Sequence, residues 1–122
     1  MMKEDEQKIP LVDGNVIPWE EHPRIQNIFM KALLTSADNP LANISLVKVP
    51  VGCAVSQHLH ANEVESVYLL SGKSELVLGD ERVPFNAGSV VAIPKGLEHE
   101  LHNVGEEPVE LLAIFTPPLA KQ

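Results

Sequence analysis

Short apolar runs of strand length, separated by turn residues, make up most of this sequence. Ten prolines and seven glycines interrupt the chain at short intervals, and no 3.6-residue periodicity continues for more than a few turns. The runs are rich in β-branched and aliphatic residues, which favour strands. We predict strands over residues 25–34, 43–49, 54–60, 65–70, 74–78, 82–85, 89–93, 98–103 and 109–115, and a further extended or strand segment over 9–17.

Strands at this regular spacing predict an all-β fold, either a sandwich or a barrel. A chain of 122 residues is in the usual range of a single domain, and no linker or repeat divides it. We therefore expect one domain over residues 1–122, with an N-terminal arm over 1–24 and a barrel core over about 41–116.

Composition and charge narrow the possible partners. The net charge is −8 and the lysines and arginines are scattered, so we expect no nucleic acid. No apolar run approaches the roughly 18 residues of a membrane span, and the N-terminus has no apolar signal segment, so we expect no membrane. Cys53 is the only cysteine, so we expect a small buried hydrophobic side chain in a cytoplasmic protein.

Four side chains of the types that bind metals fall at chelating spacing. His58 and His60 are two residues apart in a predicted strand, so both imidazoles point to the same face. Glu65 opens the next strand after a four-residue connection, and His99 lies on a strand that a barrel can place beside the first two. Three imidazoles and one carboxylate suit one divalent transition metal ion, which could be Mn, Fe, Ni, Cu or Zn. We therefore predict a metal site formed by these four residues.

The other histidines and acids near this site are weaker candidates. Glu63 is the one rival of Glu65, because it has the same parity along an extended chain, but it lies in the predicted connection. His22 lies in the N-terminal arm, and His102 alternates to the face opposite His99, so we expect both to be structural or exposed.

The spacing of these residues resembles the two motifs of the cupin superfamily. The first motif is matched at every fixed position, by Gly52, His58, His60, Glu65 and Gly72. The second is matched in the same way, by Gly88, Pro94, Gly96, His99 and Asn103. The short interval between them, residues 73–87, is similar to that of the small single-domain bacterial cupins. The resemblance implies a cupin-type double-stranded β-helix, or jelly-roll barrel, in which we expect Asn103 to stabilise the following turn.

The alternation of side chains along the predicted strands indicates which residues line a ligand cavity. It places Val67 and Leu69 inside, counted from Glu65, and Leu101 inside, counted from His99, which predicts a mainly apolar cavity. No arginine falls on an inward strand position, so no bidentate clamp for a carboxylate or phosphate is evident.

The resemblance implies a metal-dependent enzyme that acts on a small oxygenated organic molecule, of dioxygenase, isomerase or lyase type. No second acid or base is evident, so Glu65 is the one possible general base. The alternative is a non-catalytic cupin that binds or senses a small molecule and whose metal is structural. The resemblance also implies a homodimer, and the apolar residues of 9–19 would contribute to its interface.

Overall fold

The computed structural model describes residues 9–120 and shows two antiparallel sheets that pack against each other. Within these residues ten strands form: β1 Glu20–Glu21, β2 Phe29–Leu34, β3 Asn43–Val49, β4 Ala54–His58, β5 Val64–Ser71, β6 Lys73–Leu78, β7 Glu81–Asn86, β8 Val90–Ile93, β9 His99–Asn103 and β10 Val109–Thr116. The larger sheet has the order β1-β2-β3-β10-β5-β8, and the smaller one β4-β9-β6-β7. The described residues form no helix, and hence none that could cross a membrane. The predicted all-β jelly roll is confirmed.

The core lies between the two sheets and follows the alternation of their strands. In β10 every second residue is buried, beginning with Val109, and β9 alternates in the same way. Val67, Leu69 and Leu101 are at most 5% exposed, which confirms their predicted inward direction. Burial of apolar side chains from both sheets is the main force that holds the sheets together.

The N-terminal arm does not form the strand expected there. The described residues before β1 contain no strand, so the strand prediction for 9–17 is wrong. The chain turns instead, because the Asp13 side chain accepts a hydrogen bond from the Asn15 N–H at 2.9 Å and the Asp13 carbonyl accepts one from the Val16 N–H at 3.2 Å. These local bonds compete with strand pairing.

Two other strands are shorter than predicted by two residues or more. β2 begins at Phe29, because the residues before it form a loop in which Asn27 has a φ of 66°. β4 ends at His58, so His60 lies in the connection to β5. Both β1 and β2 join the larger sheet, which therefore includes strands from before the predicted barrel core.

Asn103 closes the turn after β9, as predicted. Its side-chain amide donates to the carbonyls of Val49 at 3.0 Å and Glu107 at 2.9 Å, and its Oδ1 accepts a hydrogen bond from the Gly105 N–H at 2.9 Å. Cys53, predicted to be buried, is half-buried and packs against the core.

Candidate metal centre

The four predicted metal ligands come from both sheets and one loop. His58 ends β4 and His99 begins β9, and the two residues are direct partners in the antiparallel register. Glu65 lies on β5 in the other sheet. His60 lies in the loop after β4, where its carbonyl accepts a hydrogen bond from the Gly96 N–H at 2.8 Å. This bond joins the loop to the turn before β9 and so helps to bring His60 to the other three residues.

The donor atoms of these residues form one compact group. One ligand atom from each residue lies within 4.8 Å of each of the others. Glu65 Oε1 is 3.2 Å from His99 Nε2 and 3.6 Å from His60 Nε2. Neighbouring ligands that are each about 2.1 Å from one ion stand roughly 3.0 to 3.4 Å apart. The group could therefore hold a single metal ion.

Backbone carbonyls orient two of the imidazoles. His58 Nδ1 is 2.7 Å from the Ser56 carbonyl oxygen, and His99 Nδ1 is 2.9 Å from that of Leu97. A carbonyl oxygen only accepts, so Nδ1 carries the proton in each neutral ring and Nε2 keeps its lone pair. Metal-bound histidines usually have an outer partner of this kind, which fixes the ring and its tautomer.

The electrostatics keep two of the imidazoles neutral and favour a proton on the third. Burial lowers the pKa of His58 and the pKa of His60. Burial is the largest single effect on His99 as well, but the hydrogen bonds to Glu65 and to the Leu97 carbonyl and the charge of Glu65 together outweigh it, so the pKa of His99 is raised. In the metal-free protein, Glu65 therefore stabilises a proton on His99. A metal ion that binds His99 must displace this proton.

His60 provides the observation that tests whether a metal ion fits. Its Nε2 is buried and has no hydrogen-bond partner among the described residues. The imidazole packs edge-on against the Phe115 ring, with centroids 4.8 Å apart, which limits its rotation. A buried polar atom without a partner costs about 1 to 3 kcal/mol, and a bond to a metal ion would remove that cost. The donor set therefore fits a divalent transition metal ion.

A cavity opens beside the four ligands. Apolar side chains form most of its lining and include Val47, Val55, Val67, Leu76, Leu101 and Leu111. The cavity has a volume of about 90 Å³, below the roughly 300–1,000 Å³ of sites for drug-sized ligands, so it has room for a small molecule only. This lining agrees with the apolar cavity expected from the sequence.

An irregularity in β4 changes which of its side chains reach this cavity. Strict alternation from His58 would direct Ser56 inward. The register with β9 shifts between Val55 and His58, however, and both of these residues line the cavity while Ser56 is exposed. Bulges beside functional sites often redirect side chains in this way.

The structure also places the residues that were weaker candidates. The compact group of donor atoms includes Glu65 and not Glu63. His102 lies beside Glu100 on the outer face of β9, away from the four ligands.

His22 and Arg24 line the cavity from the loop between β1 and β2, and sequence reasoning missed both. Burial lowers the pKa of His22, and the charge of Arg24 lowers it further. From the sequence, His22 is expected to be structural or exposed, and no arginine falls on an inward strand position. Because a loop carries both residues, strand alternation contains no signal for them, and only the path of that loop brings them to the cavity.

Comparison with known proteins agrees with the fold. A family model described as the cupin domain matches residues 45–115, more than half of the chain. The chain belongs to the cupin family. The matched region of this cupin begins in β3, ends in β10 and contains all four candidate ligands.

This cupin is similar to proteins from several microorganisms. An uncharacterised protein of Methanocaldococcus jannaschii is 26% identical over 110 residues, which are 90% of this chain and 79% of that protein. The oxalate-binding protein of Thermotoga maritima is 34% identical over 69 residues, 57% of each protein. A crystal structure described as a predicted oxalate decarboxylase of T. maritima has a TM-score of 0.79 and 26% identity, and the match covers 88% of this chain and 98% of that one.

Proposed function

We propose that this cupin binds one divalent transition metal ion through His58, His60, Glu65 and His99 and acts with it on a small oxygenated organic molecule. The observation that carries the proposal is the buried Nε2 of His60, which has no partner among the described residues and lies 3.6 Å from Glu65 Oε1. Three imidazoles and one carboxylate suit Mn, Fe, Ni, Cu or Zn.

The cavity supports a small-molecule ligand at this ion. When bound, a divalent ion would act as a Lewis acid on an oxygen atom of the ligand, at positions that four protein ligands leave open. The apolar lining would hold the carbon part of the molecule and exclude water. These features suit dioxygenase, isomerase or lyase chemistry.

Glu65 is the candidate general base of such a reaction. It is the one carboxylate that lines the cavity within the described residues. Its side chain is 13% exposed, and its Oε1 lies 3.2 Å from His99 Nε2. A carboxylate in this position can take a proton from a ligand in the cavity whenever it is not bound to the ion.

A non-catalytic cupin is the second candidate, and one observation favours it. Beyond the four ligands, the one acid or base that lines the cavity in the described part of the chain is His22, and its Nδ1 already accepts two backbone N–H groups of its own loop. Catalysis of proton transfer usually needs an acid or base that the metal does not occupy. The T. maritima relatives have names of both kinds, a binding protein and a predicted decarboxylase.

Metal analysis followed by a turnover screen separates the two candidates. We expect plasma mass spectrometry to find about one metal ion per chain, because the donor atoms form a single group. The metal-loaded protein is then incubated with oxalate and with small hydroxy acids and oxo acids, while oxygen uptake and products are measured. Metal-dependent turnover would support the enzyme, and calorimetric binding without turnover would support the binding protein.

Two alanine variants are compared in this experiment, one that tests the site and one that is its matched control. His60→Ala removes a candidate ligand, whereas His102→Ala removes a histidine from the outer face of β9. We expect loss of metal and of any turnover in His60→Ala only. Equal metal content in the two folded variants would contradict the proposed site.

A further inference from the structure

The loop between β1 and β2 is held at the cavity by its backbone and by apolar anchors. The His22 N–H donates to the Ile28 carbonyl at 2.7 Å, where β1 and β2 begin to pair. Ile28 is fully buried, and Ile25 packs against the core. The loop therefore has a defined path, which brings His22 and Arg24 to the cavity lining.

The imidazole of His22 stabilises this loop and leaves one donor free. Its Nδ1 accepts hydrogen bonds from the N–H groups of Arg24 at 3.1 Å and Ile25 at 3.2 Å. An Nδ1 that accepts carries no proton, so the proton of the neutral ring is on Nε2. His22 can therefore donate one hydrogen bond through Nε2 to a ligand in the cavity.

Arg24 adds a positive charge at the same place. It is exposed, and its guanidinium makes no ion pair or hydrogen bond with any described residue. It lines the same cavity as the candidate ligands His58 and His99, and its charge lowers the pKa of His22, on which burial has the larger effect. The other arginine of the chain, Arg82, is instead paired with Glu75 at 3.0 Å in the smaller sheet. In a chain with a net charge of −8, Arg24 is a local cation at a cavity lined mainly by apolar groups.

We propose that Arg24 and the Nε2–H of His22 bind a carboxylate at one end of the ligand, whose other end reaches the metal ligands. This inference rests on the proposed function and names its substrate class, a small organic acid with an apolar middle part. A guanidinium binds a carboxylate through two parallel hydrogen bonds, and the imidazole N–H can add a third. Side chains such as Val47 and Val55 line the cavity and suit a carbon chain between the two ends.

Hydroxamic acids are suitable probes, because the hydroxamate group chelates divalent ions and its tail can be varied. The monohydroxamic acids of succinic, glutaric and adipic acid have a carboxylate at the end of the tail, and the alkyl hydroxamic acids of equal length have a methyl group. Each is titrated into the zinc-loaded protein by isothermal calorimetry. We expect the best carboxylate tail to bind about tenfold more tightly than its methyl counterpart, the lower end of the range for hydrogen bonds to charged groups, because Arg24 is exposed.

Two leucine variants assign this preference to Arg24. In Arg24→Leu the tenfold preference should disappear. Arg82→Leu removes the same charge from β7, at the edge of the smaller sheet and outside the cavity lining, and should keep the preference. Loss of the preference in both variants would indicate the overall charge of the protein and contradict a direct contact with Arg24.

His22 has two roles to test, since its Nε2–H would donate to the carboxylate and its Nδ1 holds the backbone of Arg24. In His22→Asn the side-chain oxygen can accept the same two backbone N–H groups, as in an Asx turn, so most of the preference should remain. His22→Leu has no acceptor and should lose it. A wild-type preference in folded His22→Leu would contradict the positioning role.

The possible failures have different meanings. Equal binding of both kinds of tail at every length would show that the carboxylate site is wrong, while the metal site and cavity would stand. No binding of any hydroxamic acid to the zinc-loaded protein would contradict the proposed function, and the inference that rests on it would fail as well.

Discussion

Replacement of His60 by leucine should have opposite effects on the metal-free and the zinc-loaded protein. In the metal-free protein the buried Nε2 has no partner among the described residues, a cost of about 1 to 3 kcal/mol. Leucine has a similar volume and no polar atom, and it can pack against Phe115 as the imidazole does. Because the His60 side chain is still 17% exposed, we take the lower end and expect a gain of about 1 kcal/mol in the free energy of unfolding.

In the zinc-loaded protein the lost zinc stabilisation, about 2.3 kcal/mol, should exceed this gain and leave the variant less stable than the wild type. Zinc at a hundredfold excess over its Kd stabilises the native state by about 2.7 kcal/mol. A domain of this size gains roughly 4 °C in Tm per kcal/mol, so the wild-type Tm should rise by about 11 °C. If the loss of one ligand weakens the site a hundredfold, the same zinc concentration equals the new Kd and stabilises by only about 0.4 kcal/mol, or roughly 2 °C.

Differential scanning calorimetry at about pH 8, above the ordinary pKa of histidine, measures both effects with a chelator and with zinc. His102→Leu is the control, since His102 lies on the outer face of β9 and is 33% exposed; its zinc shift should equal that of the wild type. A lower Tm of metal-free His60→Leu would contradict the cost of the partnerless Nε2, and a full zinc shift in this variant would contradict the role of His60 as a ligand.

Three further predictions concern the titration of His99, the release of metal at low pH and the assembly of the protein. In the metal-free protein His99 should titrate at higher pH than the other two ligand histidines in NMR spectra, because its pKa is raised and theirs are lowered. Its protonation stabilises the metal-free fold below about pH 6.5, and this contribution is lost as the pH rises through the folded pKa. Metal should be released as the pH falls through the histidine range, and unchanged metal content down to about pH 4 would contradict this. The homodimer stays a prediction; Leu11 and Val16 of the arm are 93% and 75% exposed, and sedimentation should find a monomer when residues 1–18 are deleted, whereas an unchanged dimer would reject a role for the arm.

The periodicity of the sequence was enough to predict strands β2 to β10, though not β1, and to indicate which residues meet between the two sheets. Strand alternation depends on local backbone geometry, so it correctly placed Leu69 and Leu101 inside. The spacing of ligand-type residues around turns likewise indicated His58, Glu65 and His99, although their binding of a metal stays a prediction. The absence of nucleic acid as a partner and the cytoplasmic location also stay predictions.

Only the tertiary structure decided how the cavity is completed. The shifted register of β4 brings Val55 inward. This shift depends on pairing with β9, which is more than forty residues away in the chain, so the local sequence does not indicate it. Arg24 reaches the cavity because Ile28 is buried in the core and β1 pairs with β2. Such placements result from contacts between distant segments, and no local pattern contains them. The sequence therefore indicated where a metal could bind, and the tertiary structure added the loop that would recognise what binds beside it.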